Sequence, residues 1–295
     1  MNEPTAGRGT LFVVATPIGN LADVTLRAIE VLRTVPLSAA EDTRLTKRLL
    51  DRHGITGRTT SFHARSGPER LSALLDHLRG GADLAMVTDA GTPVISDPGA
   101  DLVAAWAAEG GTVVPIPGAS AVLAAVAASA VAGPRWSFEG FLPRSGRDRK
   151  RRLAAIGADA RGCVLFEAPG RVGSTLRDLA DACGPGRPAA VCRELTKIHE
   201  QIVRGTLNEL AGAVEHGTIP PRGEFVVVVG MSPGGSVTSG AHGSAGSLSD
   251  VPVQEDAALA EVERLVAGGA ARGDAARRVA AQTGVPRRRL YKVPR

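Results

Sequence analysis

The sequence predicts an α/β protein built on a mostly parallel sheet, and three observations carry that expectation. Short apolar runs alternate with stretches whose apolar residues recur at helical spacing, the pattern of strand–helix–strand units. Three of those runs end in loops of small and special-backbone residues: Thr16-Pro17-Ile18-Gly19-Asn20, the stretch 89–99, and Pro117-Gly118-Ala119-Ser120. Open parallel sheets bind ligands at the carboxyl ends of their strands, so the three loops are expected to share one site. A Gly/Ser-rich stretch then separates the last clear strand from a short helical tail. The expected organisation is a disordered 1–9, a first α/β domain over 10–120, a second over 121–230, a linker over 231–252, and a helix–turn–helix-like module over 253–295.

Taken in order, Thr10–Ala15 is an apolar run that stops at the first loop. Asn20 or Asp23 is suited to cap the helix after it, whose inward face is Val24, Ala28, Val31 and Leu32. The polar cluster Glu41-Asp42-Thr43-Arg44 follows a small apolar stretch, and 46–52 reads as a helix stopped by Gly54. Ser61-Phe62-His63 ends a short strand. Pro68 opens a helix with Leu71, Leu74, Leu75 and Leu78 inward, closed by Gly80-Gly81. Leu84-Ala85-Met86-Val87 is a buried strand running into 89–99. There Asp97 is expected to cap a helix with Pro98 in its first position and Leu102, Val103 and Trp106 facing inward. The stretch 112–116 is a strand, and an Ala-rich helix runs to about residue 130.

The second unit reads as strands at 136–141, 162–166, 188–192 and 224–229, with a further antiparallel strand at 198–203. Helices fall at 143–156, from 171 to about 182, and at 206–214. The tail places Leu259, Val262, Leu265 and Val266 on one helical face, then Ala275, Val279 and Ala280. Gly284 breaks that helix, and Pro286 opens a third carrying Arg287, Arg288 and Arg289.

With 22% charged and 43% hydrophobic residues, the 295-residue chain has the balance of a soluble globular protein, and a cytoplasmic one by its cysteines. Cys163, Cys183 and Cys192 fit neither zinc spacing nor a disulfide framework. No signal peptide or membrane span is apparent. Aromatics make up only 3%, which leaves little for base stacking, while a net charge of +5 favours an anionic partner. The chain has no G-x-G-x-x-G and no Walker A motif, which argues against dinucleotide and P-loop sites.

Asp89 is placed to accept from a ligand hydroxyl or amine, or to serve a turn. Ser120 suits a ligand carboxylate at a helix start, or a plain cap. Six basic residues crowd 143–152 (Arg144, Arg147, Arg149, Lys150, Arg151, Arg152) against one acid, Asp148, which points to phosphate contacts beside a cleft. His63, Glu167, Arg193, Glu194 and Lys197 each stand at or near a strand end, as candidates for orienting a substrate and taking a proton.

Assembled, these residues resemble the tetrapyrrole-methylase superfamily, and within it the branch that methylates a cytidine ribose 2′-hydroxyl of 16S ribosomal RNA. The resemblance rests on A-T-P-I-G-N-L-A-D-V-T-L-R-A at 15–28, A-E-D-T-R at 40–44, D-A-G-T-P-V-I-S-D-P-G at 89–99 and P-G-A-S-A at 117–121. It continues with E-G-F-L-P-R at 139–144, R-E-L-T-K at 193–197 and G-E-F-V-V-V at 223–228, and with A-A-R-R-V-A-A-Q-T-G-V and R-R-L-Y in the tail. It implies two α/β domains, the first with a parallel and the second with a mixed sheet. The resemblance further implies S-adenosylmethionine in the cleft between them, no metal, and usually a homodimer, acting on 16S RNA or the small subunit. The implied cofactor contacts are Thr16, Pro17, Gly19, Asn20, Asp89, Ala90, Gly91, Thr92, Pro93, Ile95, Pro117, Gly118, Ala119 and Ser120.

A ribose hydroxyl is a poor acid, so a base within hydrogen-bond reach is expected from among Glu41, Asp42, His63, Glu194 and Lys197. RNA contacts are expected at Arg44, Arg144, Arg147, Lys150, Arg151, Arg193 and Arg287–Arg289. In the segment E-A-P-G-R the family usually has His where this chain has Gly170. The rival readings are a tetrapyrrole C-methyltransferase, with less need of the basic stretch, and a DNA-binding regulator using the tail as its reader.

Overall fold

The computed structural model describes residues 7–232, 251–283, 285 and 290. Two compact units divide the chain, 1–236 and 237–295. The first holds two sheets. One consists of β1 (Thr10–Val14), β2 (Leu37–Ala40), β3 (Thr59–Ser61), β4 (Leu84–Val87) and β5 (Thr112–Ile116), in the order β3-β2-β4-β1-β5. Every neighbouring pair is parallel, so all five carboxyl ends leave one edge. Helices α1 (Leu26–Thr34), α2 (Thr43–Arg52), α3 (Pro68–Arg79) and α4 (Ala100–Ala108) cover both faces. Strand β4 is buried on each: Leu84 and Met86 join Leu74, Leu78 and Trp106, while Ala85 and Val87 join Leu32, Leu49 and Leu50. That double burial is why its sequence is a continuous apolar run.

Several boundaries differ from the sequence reading, each for a local reason. Asn20 caps a single 3-10 turn, Leu21–Asp23, and Thr25 caps α1 through the Ala28 N–H. Helix α2 starts ahead of Thr46 because Asp42 accepts from the Arg44 N–H and caps it. Helix α4 does not start at Pro98. Its cap is Gly99, at φ 115°, and a Cβ there would stand 2.4 Å from the Met86 sulfur. Asp97 is therefore not a cap. Residues 7–9, expected to be disordered, are tied down. The Gly9 N–H donates to Leu78 O, and the Arg8 guanidinium pairs with Glu109 while lying over the Trp106 ring.

The second sheet consists of β6 (Trp136–Phe141), β7 (Gly162–Glu167), β8 (Pro188–Arg193), β9 (Gln201–Thr206) and β10 (Phe225–Val229), in the order β6-β7-β10-β8-β9. Only β6 and β7 run parallel. Its faces separate by the two-residue period of a strand. Phe225, Val227 and Val229 join the core under α6 (Gly146–Ala158), α7 (Val172–Cys183) and α8 (Leu207–Glu215). Val226 and Val228 face α5 (Ala121–Ser129) and Ile18 of the first loop. Strand β9 begins at Gln201, after Ile198, because the preceding residues form a tight turn with positive φ at Glu194 and Thr196.

The second unit packs α9 (Val251–Ala267) and α10 (Arg272–Thr283) around Val262, Ala275, Ala276, Val279 and Leu290. Helix α9 starts within the stretch expected to be linker. Arg287, Arg288 and Arg289 lie outside the described residues, as does the start of the expected third helix at Pro286. Among the described residues no helix is long and apolar enough to cross a membrane.

Candidate active site

The carboxyl edge of the parallel sheet brings the three loops together. Thr16 and Gly91 form an isolated antiparallel bridge, the Thr16 N–H donating to Gly91 O at 2.8 Å and the Gly91 N–H to Thr16 O at 3.0 Å. The Thr92 hydroxyl reaches Ala119 O at 3.4 Å. A Cβ on Gly118 would stand 3.0 Å from the Ala15 Cβ, so the third loop packs directly on the end of β1. Val94 and Ser96 hold positive φ, at 75° and 68°. A β-branched residue there costs roughly 1–3 kcal/mol, and strain of this kind gathers at functional sites.

Between these loops and the second sheet lies a cavity of about 410 Å³. The first lobe supplies Ile18, Ala90, Gly91, Thr92, Ile95, Ser96, Asp97 and Ser120; the second supplies Phe141, Phe166, Cys192, Leu195 and Val226, among others. Of the expected cofactor contacts, Ala90, Gly91, Thr92, Ile95 and Ser120 reach it. Thr16, Pro17, Gly19, Asn20, Asp89, Pro93, Pro117, Gly118 and Ala119 do not. Thr16 is buried and donates its hydroxyl to Thr88 O at 3.0 Å. Gly19 packs on Thr196 and Lys197, and the Asn20 N–H donates to the Thr196 hydroxyl at 3.1 Å. The first loop thus joins the two lobes, with Ile18 as its one cavity residue.

The candidate bases separate in the same way. Asp89 accepts the Asp42 N–H at 2.8 Å, tying the end of β2 to that of β4. The Arg44 guanidinium and N–H hold the Asp42 carboxyl down at about pKa 2, too weak a base for the role. Arg44 is correspondingly paired, though its side chain is largely exposed. Glu41 accepts the Thr88 hydroxyl at 2.8 Å and does not itself line the cavity. His63 is exposed on the loop after β3, where its Nδ1 accepts the Arg65 N–H, and it does not line the cavity.

Lys197 Nζ stands 3.0 Å from both Glu194 and Glu224. Burial works against its charge, but those two carboxylates raise its pKa overall, so it is held protonated and is not a proton acceptor. Burial likewise opposes the charge on Glu194, yet its bonds to the Glu224 N–H and to Lys197 leave its pKa lowered. Arg193 is buried, donating to Arg222 O at 2.6 Å and His199 O at 3.2 Å. It braces a turn and does not face RNA. Glu167 is also fully engaged, accepting from the Ala168 N–H, Arg171 and Thr175.

The sequence reading missed Asp97. It was assigned to a cap, yet it stands half-buried in the cavity wall, and burial pushes its carboxyl up to about pKa 6 despite a bond from the Thr88 side chain. Its membership of the 89–99 string was the available signal. Phe166, Cys192 and Val226 carried none, since their strands read as ordinary core.

The basic stretch divides along α6. Arg149 is buried against Asp178, Thr175 and Pro143 O, Arg151 pairs with Asp148, and Arg152 with Glu139. Arg144, Arg147 and Lys150 are exposed, on the segment that directly follows the cavity residue Phe141.

A parallel lobe and a mixed lobe enclosing an apolar cavity rimmed by strand-end loops define a cleft enzyme of the tetrapyrrole-methylase type. The chain belongs to that family: the pattern described as Tetrapyrrole (Corrin/Porphyrin) Methylases matches residues 10–211. It is 43% identical over 287 residues to the ribosomal RNA small subunit methyltransferase I of Synechocystis sp., covering 97% of each chain. It is 42% identical to the protein of that name from Mycobacterium bovis, covering 96% of this chain and 93% of the relative. Among solved structures it resembles cobalt precorrin-4 methyltransferase CbiF, with TM-score 0.59 and 19% identity over 75% of this chain and 94% of that one. Uroporphyrin-III C-methyltransferase from Thermus thermophilus, complexed with S-adenosylhomocysteine, matches with TM-score 0.55 and 18% identity over 75% and 97%. At those identities the structural likeness establishes the fold alone.

Proposed function

We propose that the protein transfers a methyl group from S-adenosylmethionine to the ribose 2′-hydroxyl of a cytidine in small-subunit ribosomal RNA, as a cytoplasmic homodimer. One observation carries the RNA half of this reading: the cations Arg144, Arg147 and Lys150 are exposed on the segment that follows the cavity residue Phe141 in the chain. Relatives sharing 42–43% identity along almost the whole chain, tail included, bear rRNA methyltransferase names and support it.

The residues present fit the donor. A cavity of about 410 Å³ lies in the range of small-molecule sites, roughly 300–1,000 Å³. Apolar Ile18, Val122, Phe166 and Val226 suit an adenosyl group. Gly91, at φ 85°, leaves its side of the wall open, and Thr92 and Ser120 bring hydroxyls to it. When bound, S-adenosylmethionine supplies an electrophilic methyl on a sulfonium. The chain's part is to align that carbon with the incoming oxygen and to exclude water. Arg144, Arg147 and Lys150 hold the RNA backbone without reading bases.

The test is incubation with labelled S-adenosylmethionine and, separately, small ribosomal subunits, free small-subunit RNA and a porphyrinoid precursor. Label in ribose of either RNA substrate supports the reading. Label in the porphyrinoid alone overturns it in favour of the C-methylation that the structural neighbours' names describe.

A further inference from the structure

Asp97 has a setting unlike that of any other carboxylate at the site. It lines the cavity, at the end of a segment in which Val94 and Ser96 are strained into positive φ. It caps no helix, because Gly99 does. Among the described residues it has no ion-pair partner, whereas Asp42, Glu194 and Glu167 are each held by an arginine or lysine. Its partner is the Thr88 hydroxyl, which also donates to Glu41 at 2.8 Å. A hydroxyl carries one hydrogen. Thr88 therefore serves Glu41 or Asp97 at any one time, and its donation at 2.8 Å goes to Glu41. Facing Asp97 are Glu41 at the end of β2 and Asp89 after β4, both of which disfavour its anion. Glu167, Cys192 and Glu224 lie in the walls supplied by β7, β8 and β10. Among the described residues no lysine, arginine or histidine lines the cavity.

We propose that Asp97 is the group that takes the proton of the substrate hydroxyl during methyl transfer, with Thr88 and Glu41 as its positioning residues. The proposal rests on the methyltransferase reading above. In the step, the hydroxyl oxygen bonds to the methyl carbon as the carbon–sulfur bond breaks, its electron pair staying on sulfur. The hydroxyl proton goes to an Asp97 carboxylate oxygen. The Thr88 hydroxyl keeps its own proton throughout and holds Glu41 by donating to it. The proton then leaves Asp97 for solvent when product departs, restoring the starting state. An unpaired, half-buried carboxylate suits this task, because a general base works best with a pKa near the working pH.

Three measurements on the full chain test it. Asp97→Asn is expected to lose about 10²–10⁴-fold in single-turnover methylation of small subunits, with the Kd for S-adenosylmethionine changed less than about threefold; Asp97→Glu recovers part of the loss. The wild-type rate is expected to rise with pH and level off near 6, and Asp97→Asn removes that limb. Carboxyl-carbon NMR of the free protein is expected to show one aspartate titrating near 6 that vanishes in Asp97→Asn. Near-normal turnover by Asp97→Asn overturns the proposal while leaving the methyltransferase reading intact. A matching loss of donor affinity overturns it by making Asp97 a donor contact. A titration near 4 overturns it by removing the base. Wild-type protein that methylates neither subunits nor RNA overturns the parent reading, and this one with it.

Discussion

The two lobes of the first unit meet one cavity with different materials. The parallel lobe brings loop backbone, held in place by the Thr16–Gly91 bridge and by strained φ at Val94 and Ser96. The mixed lobe brings side chains from within strands, each one residue in from the end: Phe166, Cys192 and Val226. The difference follows from hydrogen bonding. Residues past a strand end have no ladder to satisfy them and are free to turn polar groups toward a ligand. Residues within β7, β8 and β10 commit their backbone to the ladder and offer only side chains. Loop backbone and, among the described residues, the one cavity carboxyl without an ion pair, Asp97, thus come from one lobe. The larger apolar side chains come from the other, whose Glu167 and Glu224 are held by Arg171 and Lys197.

The largest test of that division is at Gly99. Its φ of 115° is open to glycine, and a Cβ would collide with the Met86 sulfur in the core. Gly99→Val is expected to destabilise the fold by about 3 kcal/mol, strain and overpacking together. Val226→Ala, in the opposite wall, removes side-chain volume without touching the backbone and is expected to cost about 1–2 kcal/mol. Urea unfolding of both decides the order; equal losses would erase the contrast between a backbone-built and a side-chain-built wall.

The contrast repeats on a smaller scale along α6. Arg149→Ala leaves Asp178 and Thr175 without their buried partner and is expected to cost about 2–3 kcal/mol. The Arg144→Ala, Arg147→Ala and Lys150→Ala triple is expected to leave the Tm within a few degrees. It should instead flatten the salt dependence of RNA binding by about two to three units of slope. Fluorescence binding across salt, alongside thermal melts, separates the two sets. An unchanged slope would place the RNA elsewhere.

Much of the first lobe was legible in the sequence because special-backbone residues mark it. Gly91, Gly99 and Gly118 each occupy a conformation or a contact that a side chain would upset, and a Gly/Pro-rich string at a strand end reveals that without coordinates. What stayed hidden was direction. Thr16, Asp89 and Asn20 sit in the right loops but turn toward other loops, and nothing in spacing tells a loop's inner wall from its back. Asp-Pro reads as an ordinary helix start, so Asp97 reads as a cap; the helix instead starts after Gly99, whose αL conformation and contact with the Met86 sulfur leave no room for a Cβ. Arg193 and Arg149 resemble surface charges in sequence, and only packing shows them bonded to carbonyls and carboxylates inside the fold.

A smaller effect reads the polarity of the first lobe's wall directly. Burial lifts the Asp97 pKa from 3.8 to about 6. A carboxyl whose folded pKa exceeds its unfolded one costs stability once ionised. The penalty is absent below pH 3.8, grows between 3.8 and about 6, and is constant above. Asp97→Asn carries no such charge, so it is expected to gain on wild type across that window and to hold the gain at neutral pH. The gain is of order 1 kcal/mol, discounted because the half-exposed carboxylate keeps part of its hydration. Parallel stability curves for the two proteins would refute it.

The smallest expected effect is at Gly170, next to the cavity residue Pro169, where the family's usual residue is His. A Cβ at Gly170 would meet nothing within 4 Å, and its φ is not one reserved for glycine. Gly170→His is therefore expected to change stability by less than about 0.5 kcal/mol, as surface substitutions do. Its kinetic effect discriminates more. If a first-lobe carboxylate takes the proton, an imidazole added from the second lobe has no proton left to accept. The rate should then stay within about threefold, and no new limb should appear in the pH profile near 6.5, where a free imidazole titrates. A tenfold rise with such a limb would move the base to the second lobe and overturn its assignment to the first.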